Sequence, residues 1–312
     1  MSKYHRYDTA KVSTRSISDR KSLVRVEDFA RLPAGGSLAE FLDSLPGFLG
    51  ARDLKALVSA IRKAKSDDKP IIWGFGGHVV KVGLAPILID LMDRGFVSAL
   101  ATNGSGLIHD FEIAIAGKTS EDVEEELNKG AFGLTEETGR LMNQAFREGV
   151  GTGMGLGESL GAFLDKEHPE FGRASLVMQA YRRDVPVTSH VAIGTDVIHM
   201  HPSADGAVLG KGSMIDFQVF TCQVSRLHGG GVYLNLGSAV LLPEVFLKAV
   251  SMVRGSGDEL SGFTTANLDF IQHYRPRQNV IGRPVGGGGK GIALTGHHEI
   301  MIPLLASLLV YS

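Results

Sequence analysis

The sequence predicts an α/β fold, a mostly parallel, Rossmann-like sheet with helices on both faces. Three observations carry that expectation. A short apolar segment that ends in glycine and feeds a helix recurs at Ile71–Phe75, Val97–Ala101 and Val232–Leu236. Parallel strands need such crossover helices, whereas antiparallel ones are joined by tight turns. The 40 glycines gather at strand ends instead of spreading as a low-complexity linker. A hydrophobic content of 43% beside 21% charged residues describes a soluble globular chain with ample core.

In chain order, residues 1–25 are polar and mildly basic (Lys3, Arg6, Lys11, Arg15, Arg20, Lys21) and read as an arm over the surface or a neighbouring subunit. Ser37-Leu-Ala-Glu40 is a capping box and should start a short helix. A second helix is expected over Asp53–Lys65, with Leu54, Leu57, Val58 and Ile61 on one face. The β-α-β-α unit follows from Lys69 to Gly117, and Pro86 opens or kinks its first long helix. The acidic stretch from Glu121 to Glu126 suits a helix start and a solvated face. Thr135–Arg147 should be helical, and Gly149–Gly157 reads as a flexible connection into a helix over Glu158–Lys166. That glycine run follows a helix instead of a strand, and no Gly-Lys-Ser/Thr follows it, which excludes dinucleotide-fingerprint and P-loop readings. Val185–Ile193 is the third strand, Ser213–Leu227 a helix and Asn267–Gln272 a fifth strand. A final strand and helix surround His297–Pro303. No internal repeat beyond the strand–glycine–helix unit and no linker appears, so residues 1–312 are expected to form one domain.

Net charge of −2 gives no electrostatic reason to expect nucleic acid or an anionic membrane as partner. No apolar run approaches the roughly 20 residues of a spanning helix. The one cysteine, Cys222, leaves no intramolecular disulfide and no cysteine-built zinc site, and the expected compartment is cytoplasmic.

The strand-end glycines and their neighbours are the candidate site. In an open α/β sheet, ligands bind outside the carboxyl ends of the strands, and glycine lets them approach the backbone. His78 stands at the first turn, with Asn103, Ser105, His109 and Asp110 at or just past the second. The histidines allow a rival reading. His199-Met-His201 on a strand would put both imidazoles on one face. With Asp196 or Glu244 they would form a metal site for hydrolysis. No G-x-S-x-G elbow supports a serine nucleophile.

Several segments, in order, carry a resemblance. They are the turn Gly74-Phe-Gly-Gly-His-Val-Val-Lys-Val-Gly83, the turn Thr102-Asn-Gly-Ser-Gly-Leu-Ile-His-Asp110, Thr195-Asp-Val-Ile-His-Met-His201, and Leu236-Gly-Ser-Ala239. Gly282-Arg-Pro284, Gly289-Lys290 and Glu299-Ile-Met-Ile-Pro-Leu-Leu305 follow. In these the chain resembles the deoxyhypusine synthase family over residues 69–310. The resemblance implies NAD as cofactor, a small amine or polyamine as substrate, imine chemistry, and a homotetramer with sites at the subunit interface. It implies that Lys290 is the imine-forming lysine. Gly76, His78, Asn103, Gly104, Ser105, His109, Asp110, Gly237 and Ser238 would bind cofactor, and Asp196, Glu244, Asn279 and His190 substrate. Where the family has a tryptophan before its lysine this chain has Gly288, and where it has acids this chain has His109, His190 and Asn279. A spermidine pocket pairs several ammonium groups with carboxylates. The exchange therefore implies an altered amine substrate and not the translation-factor lysine that the family modifies.

Overall fold

The computed structural model describes residues 2–312. Residues 2–36 are exposed and carry only short 3-10 turns. The elements then run α1 (Leu38–Ser44), α2 (Leu49–Ser66), β1 (Ile71–Phe75), α3 (Gly77–Lys81), α4 (Ala85–Asp93), β2 (Ala99–Asn103) and α5 (Gly104–Ala116). Next come α6 (Val123–Asn128), α7 (Glu136–Gly151), α8 (Leu156–Glu167), α9 (Leu176–Tyr181), β3 (Val187–His190) and α10 (Gly206–Ser225). The chain finishes with β4 (Val232–Leu236), α11 (Leu241–Gly255), β5 (Thr264–Asp269), α12 (Tyr274–Asn279), β6 (Lys290–Thr295) and α13 (His298–Tyr311).

Among the described residues the strands form one 6-stranded sheet in the order β3-β2-β1-β4-β5-β6, with every pairing parallel. This is the doubly wound Rossmann order, and the direction of winding switches between β1 and β4. Helices cover both faces, so β1 and β4 are buried at every position and read as unbroken apolar runs. On one face Trp73, Phe75, Leu100 and Leu234 pack with the apolar sides of α2, α4, α5, α8 and α13. On the other, Ile72, Ala99, Ala101 and Tyr233 meet Phe220 of α10 and Phe246 of α11. There the Tyr233 and Phe246 rings stack with centroids 3.9 Å apart.

The capping box forms as read, with Ser37 and Glu40 bonded reciprocally, and Pro86 lies in the first turn of α4 instead of kinking it. The third strand is shorter than Val185–Ile193, and the fifth begins at Thr264 instead of Asn267. The glycine run is not a flexible connection. Gly149 and Gly151 belong to α7 and Gly157 to α8, and a Cβ on Gly149 or Gly157 would collide with Ser159 or the Val187 carbonyl. The run is a tight helical corner that presses α8 against the edge strand β3. Asp216 seals that edge by accepting from the Gly157 N–H at 3.1 Å and the Ser189 N–H at 2.8 Å. No helix among the described residues is long and apolar enough to cross a membrane.

Candidate active site

Gly76, Gly104, Gly194 and Gly237 follow the carboxyl ends of β1, β2, β3 and β4, so the four turns share one edge of the sheet. At the switch point the Gly76 N–H donates to the Leu236 carbonyl (3.1 Å) and the Gly237 N–H to the Leu268 carbonyl (3.1 Å). A Cβ on Gly76 would sit 3.2 Å from the Gly237 carbonyl oxygen, so the two turns touch. Gly237 has φ +67° and lies against the His298 imidazole. His298 donates from Nε2 to the Leu268 carbonyl at 3.0 Å, while its Nδ1 is buried with no partner. His78 is exposed beside it, the ring centroids 5.8 Å apart.

One step away, toward β2, lies a cavity of about 210 Å³ lined by Lys81, Ser105, His109, Glu112, Glu121 and Asp196. α5 supplies three of these from one face, because positions 105, 109 and 112 follow the helical repeat. A Cβ on Gly104 would overlap the Asp196 carboxylate, so glycine at the first position of α5 is what admits that carboxylate. Asp196 Oδ2 is buried and accepts no hydrogen bond. Burial pushes its carboxyl pKa up to about 6. His199 closes the back of the site. Its Nδ1 accepts from the Gly194 and Asp196 N–H groups at 3.1 and 3.3 Å. That leaves Nε2, 3.7 Å from Asp196 Oδ2, to carry the proton of the neutral ring. His109 binds Thr119 Oγ1 through Nδ1 at 2.7 Å. The Thr119 hydroxyl donates to Glu112 Oε2 at 2.5 Å, and Thr138 donates to the other Glu112 oxygen at 3.1 Å.

Other sequence-predicted residues stand elsewhere. Lys290 opens β6 opposite Thr264, the first residue of β5. It therefore lies at the amino edge of the sheet, about 17 Å along the strand from the carboxyl edge. Within one chain it does not join Asp196 or the glycine turns, because a parallel sheet puts strand starts and strand ends on opposite sides. Asp110 turns away from the cavity and caps α9, accepting from the Leu176 and Val177 N–H groups and the Ser175 hydroxyl. Asn103 caps α5 through the Gly106 N–H at 3.0 Å, and Ser238 caps α11 through the Leu242 N–H at 3.2 Å. Glu244 and Asn279 do meet, at 2.9 Å, but in a separate network with Lys248, Arg275 and Arg283. His190 is buried against Phe220 and Thr188, and burial lowers its pKa to about 3, so it is a neutral core residue.

The metal reading fails on backbone conformation. Val197–His199 is a 3-10 turn, not a strand, so His199 faces Asp196 while His201 turns to Ser203 and Glu136. Among the described residues no group of three or more His, Cys, Asp or Glu side chains is placed to hold a metal ion. Sequence reasoning missed Lys81, Glu112, Glu121 and Thr119. His109 and Glu112 carried a usable signal, since i,i+3 residues on a helix share a face. Thr119 carried none.

No protein-family model matches the chain, and no curated protein matches it in sequence. Among solved structures it is similar to AgrE in a ternary complex with ornithine and NAD+, at 15% identity, TM-score 0.54, over 83% of this chain and 33% of that one. The chain thus spans about a third of the AgrE chain. It is also similar to a Methanococcus maripaludis S2 protein described as a conserved candidate LOR/SDH protein (15% identity, TM-score 0.52, 89% of this chain and 70% of that one). A candidate deoxyhypusine synthase from Entamoeba histolytica aligns at 11% identity and TM-score 0.52, over 90% of this chain and 95% of that one. At these identities the likeness shows the fold, an α/β architecture shared with deoxyhypusine synthase-like and LOR/SDH-like Rossmann-like proteins.

Proposed function

We propose that this chain is an NAD-dependent enzyme that oxidises a small primary amine, of the diamine or polyamine class, to an imine. The observation that carries the proposal is the Asp196 carboxylate, which lines a cavity at the sheet's carboxyl edge and whose buried Oδ2 has no hydrogen-bond partner. A substrate ammonium supplies the missing donor and the missing charge together. Beyond the cavity a wider groove of about 620 Å³ is lined by Glu112, Glu121 and Glu137. It shares Glu112, Ser120 and Glu121 with the first cavity, which suits a linear molecule with a second ammonium. The fold neighbours support the class: one is a protein solved with ornithine and NAD+, another a candidate deoxyhypusine synthase.

For the cofactor, the switch-point residues fit and those after β2 do not. Gly76, His78, Gly237 and His298 would hold NAD, with the orphaned His298 Nδ1 as acceptor for an amide or hydroxyl donor. NAD supplies the hydride acceptor. The chain's own residues bind the ammonium at Asp196 and screen the reacting carbon from water between α5 and the segment around Thr195–Val197. Transfer of the product to an acceptor amine through Lys290 would need that lysine from a neighbouring copy of the chain, so the proposal rests on the oxidation alone.

Calorimetry with NAD, then with putrescine or spermidine in the presence of NAD, tests the reading, with NADH absorbance following turnover. Binding of both and NADH formation are expected, and Asp196→Asn should weaken amine binding by about 10-fold or more, the value of one charge-assisted hydrogen bond. No heat with millimolar NAD refutes the cofactor. NAD binding without amine turnover makes the chain a non-catalytic homologue.

A further inference from the structure

We propose that His109 is the proton acceptor of this site, with Thr119 and Glu112 as the positioning residues that fix its tautomer. The assignment of the amine as proton donor rests on the function proposed above, while the tautomer stands on hydrogen bonding alone. The Glu112 carboxylate can only accept, and it takes the hydroxyl protons of Thr119 and Thr138 on its two oxygens. Having given its proton away, the Thr119 oxygen must act as acceptor toward His109 Nδ1 at 2.7 Å. The imidazole proton therefore sits on Nδ1, and Nε2 keeps its lone pair. The Cδ2 edge of the ring packs against the turn after β1: a Cβ on Gly77 would come within 3.1 Å of His109 Cδ2 and would collide with Ser105 Oγ. His109 and Asp196 line the same cavity, beside that turn.

The charged and titratable groups around the ring are Glu112 on its own helix, Lys81 from α3, and Glu121 and Asp196 from the cavity wall. Burial first, then Lys81, lowers the imidazole's affinity for a proton, against a smaller opposing effect of Glu112. The ring is therefore held neutral, with the Nε2 lone pair unprotonated. In the step itself an ammonium N–H bond breaks and a His109 Nε2–H bond forms, giving a neutral amine and an imidazolium beside Glu112. The neutral amine can then release hydride from its carbon, which the ammonium cannot.

The test joins imidazole 15N NMR with kinetics. Wild-type His109 should show the Nδ1–H tautomer. Thr119→Val should move it to a mixture or to Nε2–H, and Thr119→Ser should restore it. In the amine oxidation, His109→Gln should lower kcat by about 10²–10⁴-fold with KM changed little, the usual span for loss of a general base. Thr119→Val should shift the acid limb of the pH–kcat profile, which a merely structural threonine would not. Nε2–H in the wild type, an unchanged tautomer in Thr119→Val, or full kcat in His109→Gln overturns the proposal. If the wild type oxidises no amine, the function above fails, and the tautomer measurement decides the relay by itself.

Discussion

Replacing Asp196 by asparagine removes a charge while keeping the shape of the side chain, and the structure sets how much that should matter. The carboxylate is buried against Gly104 and accepts nothing at Oδ2. Burial lifts its pKa from the ordinary 3.8 to about 6, and at about 1.4 kcal/mol per pH unit this sets roughly 3 kcal/mol against the charged form. The sign follows from linkage. A carboxyl whose folded pKa is raised supports the fold fully below its unfolded value, and loses that support as pH rises through about 6. At pH 8 the wild-type chain bears the whole cost, and Asp196→Asn relieves it. With 312 residues, and an unfolding entropy of about 2.1 cal/mol/K per residue, roughly 3 kcal/mol corresponds to a Tm gain of about 4–5 °C. The gain should fall to about half at pH 5 and about a fifth at pH 4, since the wild-type acid is then protonated in the folded state and partly so in the unfolded. Differential scanning fluorimetry across that range reads it, in the absence of amine. An asparagine variant that melts at or below the wild type at pH 8 would show that Asp196 stabilises the turn as an ordinary cap, and the reasoning about an unmet ammonium partner would fail.

Lys290→Ala should leave NAD binding, amine binding and NADH formation within about twofold of wild type, because Lys290 begins β6 at the opposite edge; calorimetry and initial rates check it, and a loss of turnover would place a neighbouring copy's lysine in the site. Residues 1–25 read as an arm over the surface or a neighbouring subunit, and Tyr7, Ile17 and Leu23 on it are exposed; if the arm reaches a second copy, deleting residues 2–25 should lower the oligomeric state seen by sedimentation, and an unchanged state would remove the arm from assembly.

The sheet was legible where apolar runs had sharp ends. Ile71–Phe75 lies between Lys69-Pro70 and a pair of glycines, and Val232–Leu236 between three glycines and Gly237, so both strands match their expected bounds. β2 runs two residues later than the apolar segment Val97–Ala101, because pairing of Ala99 with Ile72, not hydrophobicity, sets where the strand begins. Phe96 and Val97 are buried without belonging to it. β5 is displaced the other way: Thr264 and Thr265 start it, while Phe270 and Ile271, apolar enough to be read as strand, are exposed in the loop beyond. Among site residues, Asp196 and His109 could be found from their distance to a glycine turn. Asp110 could not be sorted from them, since its direction depends on α9, 66 residues along the chain, arriving with free N–H groups for it to cap. His199 and His201 were misplaced because two imidazoles share a face on a strand and diverge on a 3-10 turn.

The glycines at the carboxyl edge bear a different meaning from the one their pattern first invites. In a dinucleotide fingerprint glycine keeps the backbone bare so that phosphate can approach. Here the face of Gly104 is taken by Asp196 and that of Gly237 by His298, so bareness lets this chain's own polar side chains press against the turns. The consequence is electrostatic. A carboxylate held at the start of α5 occupies the position where the helix's partial positive charge would otherwise draw an anion. For the cofactor proposed above, an anionic pyrophosphate would be disfavoured at β2 and better placed at the β1–β4 switch point, where the buried, partnerless atom is an imidazole nitrogen. The carboxylate side is left for a cation. In the function proposed here the sheet edge would divide into a half for the cofactor and a half for an ammonium, with His109 lining the cavity beside Asp196, and that division is the physical basis for the proposal that the site takes a proton and a hydride from the same amine.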